Sequence, residues 1–356
     1  MARAASAAAF ALALAAAASA ASPSLAVELA LAPPSPPRAT AGGADLCVLF
    51  ISDKVRGFHF GRVDFKAKQL VDLVALPPEL EQANGGVAAG ADEGVFYIPA
   101  EPYGNDLYEL NIRTNKTALR TVAPPPEYKG SSFAFGTMQV NDATGDIWAL
   151  LNEWPAYTGV ITVFPRNGTS VAISGNFAPQ YLPNFEYIKV GVATVDSRRG
   201  VFYFVAGVGK ADVESLVGVK AGDPSAPVSF LEVPGPADNS SDIDFLGYSS
   251  ALDLFVVSCS LITTGIASVK VMPADGKGGA DWATIYEWQA GVETDNELGN
   301  GALSEDGLTF YVALDAGANG DVQYFAFDLK ARTLAGSFTV PDSQWPGLVT
   351  AEVVSC

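Results

Sequence analysis

The chain has 356 residues, of which 49% are hydrophobic and 17% charged, so it is long and apolar enough to bury a large core and is not a disordered acidic tail. Lys and Arg number 21 against 39 Asp and Glu, a formal net charge of −18. With no basic cluster beyond Arg198-Arg199 and the Lys66, Lys68 pair, that charge repels a polyanion and excludes DNA and RNA as partners.

In chain order the first feature is a leader. Arg3 supplies a positive charge, Ala7 to Ala18 an apolar stretch and Ala18-Ser19-Ala20 a small-residue cleavage site, the layout of a secretory signal peptide over residues 1–20. The stretch is short and mostly alanine, whereas a membrane span needs about 20 strongly apolar residues. The mature chain is therefore expected to lack a transmembrane segment and to be secreted. Residues 21–44, with the run PPSPP, read as an extended linker.

From 45 to 356 a phrase of about 50 residues recurs: a small apolar strand, a tight turn, an aromatic strand, then two more strands. The copies run Gly85 to Val122, Phe135 to Ser174, Gly191 to Val233, Phe245 to Trp288 and Gly299 to Val340. Tyr97, Trp148, Tyr203, Phe255 and Tyr311 mark the aromatic strand of each. A sixth copy is split. LCVLFIS, FHFGRVDF and LVDLVAL near the N-terminus lack a first strand, and LVTAEVVSC at the C-terminus is a first strand without successors. The expected fold is all-β: a six-bladed β-propeller of four-stranded antiparallel blades, its ring closed by the C-terminal strand joining the N-terminal blade so that no long edge stays open.

Closure brings the ends together. An antiparallel pairing of those strands sets Cys47 near Cys356, and a disulfide between them is expected in an oxidising compartment. Cys259, on the apolar run LFVVSC, reads as a buried inert thiol. Sequons at Asn115, Asn167 and Asn239 lie at loops or outer-strand edges, where glycans can be accommodated.

No catalytic signature is present. The lone histidine, His59, sits opposite Phe58 and Phe60 on its strand and has no G-x-S-x-G partner. One histidine, no C-x-x-C, no P-loop and no dinucleotide fingerprint before a helix exclude histidine-ligated zinc and nucleotide chemistry. Propellers keep function in their loops and channel mouth. The segments entering the inner strands carry Glu81 and Asn84, Glu186, Asp242 and Asp244, and Asp295, Glu297 and Asn300, hard oxygen donors that suit a calcium ion if they converge. Tyr103, Trp154, Tyr157, Tyr181 and Trp345 stand in proline- and glycine-rich loops, where rigid rings beside polar groups stack on sugars or anchor a protein.

GNGALSEDGLTFYVAL (Gly299 to Leu314) and VNDATGDIWAL (Val140 to Leu150) resemble phrases of the gluconolactonase and regucalcin-type six-bladed propellers. That resemblance implies a divalent metal that activates lactone or ester hydrolysis. Carried over by motif, Asn300 and Asn141 would be ligands, with Glu81 or Glu186 the glutamate and Asp244 the acid; Asn84 is a further candidate. Two functions follow from the sequence. The first is a secreted module binding a glycan, small molecule or protein through its loops, and the alternative is a calcium-dependent lactonase or esterase.

Overall fold

The computed structural model describes residues 46–52, 58–75, 88–90, 94–99, 106–121, 132–141, 143–154, 158–164, 166, 171–172, 185–208, 214–220, 227–232, 241–261, 267–274, 282–288, 301–315, 321–341 and 348–355. These residues form strands and turns with no helix, in six four-stranded antiparallel sheets. Blade 1 joins β1 (Leu46–Ser52), β2 (Phe58–Asp64) and β3 (Gln69–Ala75) to β24 (Leu348–Ser355). Blade 2 holds β4 (Ala88–Ala89), β5 (Val95–Pro99), β6 (Asp106–Asn111) and β7 (Lys116–Thr121). Blade 3 holds β8 (Ser132–Val140), β9 (Ile147–Trp154), β10 (Thr158–Phe164) and β11 (Val171–Ala172). In blade 4 the strands are β12 (Phe185–Asp196), β13 (Val201–Val208), β14 (Glu214–Lys220) and β15 (Pro227–Glu232). Blade 5 comprises β16 (Ser241–Ser249), β17 (Leu254–Leu261), β18 (Ala267–Pro273) and β19 (Ala283–Glu287), and blade 6 β20 (Gly301–Leu303), β21 (Thr309–Asp315), β22 (Val322–Asp328) and β23 (Thr333–Val340).

The first strands β24, β4, β8, β12, β16 and β20 each contact the next around a complete circle, which makes the fold a closed six-bladed β-propeller. Its core is the set of seams between blades. Leu46, Val48 and Val63 pack on Tyr311, Tyr324 and Phe338 at the seam of blades 1 and 6. Further apolar clusters fill the seams between blades 2 and 3, 3 and 4, 4 and 5, and 5 and 6, while Phe60 meets Phe96 between blades 1 and 2. Sandwiching explains why both faces of a strand are buried. His59 (4% exposed) and Phe60 (7%) point opposite ways, yet both are buried.

β1 pairs antiparallel with both β2 and β24, and Leu46 lies opposite Ser355. Because each blade has an even number of alternating strands, every first strand runs the same way along the axis. One end of the ring, called the entry end below, therefore gathers the starts of the first strands and the connections from second to third strands. The far end gathers the turns from first to second and from third to fourth strands.

The far-end turns repeat a chemistry. Asp64, Asn111 and Asp328 end the third strands of blades 1, 2 and 6, and each Oδ1 accepts from the backbone N–H three residues on, at 2.8, 3.1 and 2.8 Å. Four residues after each cap stands a residue at positive φ: Lys68, Asn115 and Arg332. The first-to-second turns are capped by Asn141, Asp196, Ser249 and Ser304, and positive φ falls on Gly94, Gly145, Gly200, Asp253 and Gly307. Side-chain oxygens that mimic the backbone are what such turns need.

Close approach fixes one glycine of the inner ring. A Cβ on Gly301 would lie 2.8 Å from Phe245 of blade 5 and 2.8 Å from Phe310 of its own blade, two rings stacked at 4.9 Å. The Gly301→Ala variant is expected to lose about 1–3 kcal/mol of stability through overpacking, read as a lowered urea midpoint at unchanged slope.

Candidate functional site

The entry end between blades 4 and 5 carries a buried charged cluster. Lys189 Nζ lies 3.4 Å from Glu214 Oε1 and 4.0 Å from Asp244 Oδ1, with side-chain exposures of 12%, 2% and 4% respectively. Glu214 Oε2 also accepts from the backbone N–H of Ile243, across the seam. Irregular strands put these groups there. The β12–β13 register breaks around Glu186 and again between Ile188 and Ala193, and the β16–β17 register breaks around Asp244. Each break is a bulge, which turns a side chain out of the regular alternation. Gly191, at φ +79°, supplies the left-handed residue that the longer bulge requires.

The same seam is clamped at the far end. Arg199 donates to Asp196 Oδ2 at 2.6 Å and, bidentately, to Asp253 Oδ1 and Oδ2, each at 2.7 Å. Tyr248 O–H donates to Asp253 at 2.9 Å. Hydrogen bonds from Arg199 hold the Asp253 carboxyl below its ordinary range, and burial holds the Tyr248 phenol well above its own. Asp253 stands at the positive-φ position that glycine takes in the matching turns, so blade 5 exchanges an unstrained residue for a carboxylate that grips blade 4. Arg198-Arg199 thus serves the seam.

The sequence-derived candidates divide by end. Asp244 is part of the entry-end cluster. Glu186 and Trp154 lie in strands β12 and β9 and are described by backbone pairing alone. Asn84, Asn300, Tyr103, Tyr157, Tyr181 and Trp345, with Glu81, Asp295 and Glu297, lie outside the described residues. The strand ends that flank their connections all belong to the entry end. Asn141 is on the far end, buried, with Oδ1 accepting from Ala143 N–H at 3.0 Å; the structure does not bring it together with Asp244. Its place in the repeat, matched by Asp196, Ser249 and Ser304, is that of a turn cap.

Two members of the cluster, Lys189 and Glu214, were not among the sequence candidates. Their signal is a charge set among apolar strand residues: Lys189 lies inside FEYIKVGVATVD and Glu214 opens ESLVGVK. For a divalent cation the described donors are a poor fit. Asp244 already faces an ammonium, and no group of three His, Cys, Asp or Glu side chains among the described residues is arranged to hold a metal. Cys259 is buried and free, and desolvation raises its thiol to about 11, which leaves it unreactive. No helix among the described residues is long and apolar enough to cross a membrane.

No protein-family model matches the chain, and no curated protein does either. Solved structures do. A protein from Lactobacillus plantarum aligns with a TM-score of 0.52 at 12% identity, over 88% of this chain and 99% of the other. A Dos1 propeller gives 0.45 at 8%, over 73% and 61%. The calcium-binding protein regucalcin from Agrobacterium tumefaciens gives 0.40 at 13%, over 72% and 74%. The likeness to these propellers is one of fold.

Replacing Arg199 by Ala leaves buried Asp196 without its charged partner. Loss of one member of a buried pair costs about 3–5 kcal/mol, and with Arg199 and Asp253 about one third exposed the expected loss is about 2 kcal/mol at neutral pH. The pH dependence has a defined sign. A carboxyl whose folded pKa is depressed adds stability that is complete above its unfolded value, near 4, and disappears as pH falls through the lower folded value. Urea midpoints between neutral pH and pH 3 should therefore fall less steeply for Asp253→Asn than for the parent.

Proposed function

We propose that this protein is a secreted binding propeller that receives a glycan or a protein surface at the entry end of its ring. The observation that carries the reading is the buried Lys189–Glu214–Asp244 cluster, with Lys189 and Asp244 on bulges of first strands and Glu214 at the start of β14, at the end of the ring where strand β9 finishes at Trp154 and where the connections containing Tyr103, Tyr157, Tyr181 and Trp345 begin and end. Fixed polar groups next to aromatic rings are the usual equipment for holding sugars or anchoring a partner side chain. Glycan arrays and capture from extracellular medium test it. Retention of a discrete set of ligands, weakened at least tenfold by Trp154→Ala or Trp345→Ala with unchanged unfolding, is the expected result. A folded protein that retains nothing on either surface would defeat the reading.

A calcium-dependent lactonase is the other reading of the sequence, and it requires at least three of Asn84, Glu186, Asp244 and Asn300 around one ion. The Lys189 ammonium beside Asp244 supports binding over that chemistry, because a second cation there meets repulsion. Calcium or a chelator is expected to leave the thermal midpoint unchanged; a rise of several degrees with calcium would reinstate the metal site.

Secretion also carries a proposed Cys47–Cys356 disulfide. The β1–β24 register supports it, since Cys356 directly follows the strand whose last residue faces Leu46, and among the described residues Cys259 is the free cysteine. Labelling of the denatured, unreduced protein should modify Cys259 alone, and reduction should add the other two. Closing a loop of about 310 residues is worth roughly 5–6 kcal/mol in the chain-entropy model, so reduction should lower the midpoint substantially.

A further inference from the structure

The third-to-fourth turns of blades 1, 2 and 6 are one structure written three times. Asp64 to Leu70, Asn111 to Thr117 and Asp328 to Leu334 share the capping hydrogen bond and the residue at positive φ. They also share register: Asp64 faces Gln69, Asn111 faces Lys116 and Asp328 faces Thr333. Position for position, Lys68, Asn115 and Arg332 correspond, with φ of 54°, 49° and 56°. So do Leu70, Thr117 and Leu334.

Blade 2 differs from the other two in residue type along the whole turn, and its Asn115, Lys116 and Thr117 spell a sequon that neither sister turn carries. Asparagine is favoured at positive φ, which alone would account for Asn115. The matching turns weaken that account, because lysine and arginine hold the same backbone there. Thr117 stands in strand β7 where both counterparts are leucine, and its hydroxyl completes the sequon. Asn115 is exposed at the tip of its hairpin, and a bulky hydrophilic group there meets solvent. Its turn lies on the far end, away from the entry end.

We propose that Asn115 carries an N-linked glycan, placed on the end of the ring opposite the binding end. The inference rests on the secretory part of the reading above. In the reaction the Asn115 amide nitrogen bonds to the anomeric carbon of an oligosaccharide carried on a polyisoprenyl diphosphate. The bond from that carbon to the diphosphate oxygen breaks, the diphosphate leaves with the electron pair, and the amide loses one proton to a transferase base. A glycan there leaves the entry end open.

The full chain, translated with secretory microsomes, tests this alongside a second form that carries an established cleavable leader in place of residues 1–20. Protease protection reports translocation. Enzymatic deglycosylation in heavy-oxygen water, which turns an occupied asparagine into labelled aspartate, reports position 115 separately from Asn167 and Asn239. Both forms are expected to be protected and occupied at Asn115. The double variant Asn115→Lys, Thr117→Leu restores the residue types of the sister turns; it should keep the unfolding midpoint and lose that one glycan. An unmodified Asn115 in protected chain, with either leader, overturns the site and leaves secretion standing. If only the driven form is protected and glycosylated, the secretory reading fails, and modification of the natural protein fails with it. A double variant whose midpoint drops sharply would show that the two residues serve the fold, against the argument from the sister turns.

Discussion

Everything in this structure depends on one constraint: every blade is apolar on both faces, so every blade must have a neighbour on both sides. Strands such as Val201–Val208, buried along their described length, have no solvent face to offer. Only a closed ring satisfies all blades at once, and it closes because β24 completes the sheet begun by β1, β2 and β3. The same pairing removes the free edge that a broken blade would expose.

The seams are not equivalent. Between blades 4 and 5 the apolar contact of Tyr203 and Phe255, with ring centroids 4.6 Å apart, is bracketed by a charged cluster at each end. Burying ions is costly and is a poor way to gain stability, but it penalises any misalignment severely. At the far end the cost is met by a bidentate arginine and a turn residue that trades glycine for Asp253. At the entry end it is met by strand bulges, which place Lys189 and Asp244 where regular strands would not. Among the described residues the two ends differ in kind: the far-end turns are short and capped by side-chain oxygens, while at the entry end the strands β12 and β16 are irregular.

Of the architecture, much could be read before any coordinates. The split sixth phrase predicted the β1–β24 pairing, and the strand order within each blade followed from the repeat. The site was less legible. Asp244 was visible as an acid at a strand entry, but Lys189 and Glu214 sit on apolar runs, and their meeting depends on two register breaks that leave no periodic mark. Asn141 illustrates the converse. Its phrase resembles that of metal-binding propellers, yet the same position holds Asp196, Ser249 and Ser304 in the neighbouring blades, where each oxygen caps a turn.

Sequence alone determined the fold class, the number of blades and the place where the ring closes, because these follow from the local alternation of apolar residues and from a repeat that each blade must obey. Tertiary structure decided which charges meet, which end holds them and which asparagines serve turns. Those outcomes depend on contacts between residues such as Lys189 and Asp244, 55 positions apart in sequence, brought together by bulges and by the packing of one blade on the next. No local pattern encodes such a contact, since the energy that selects it belongs to the seam.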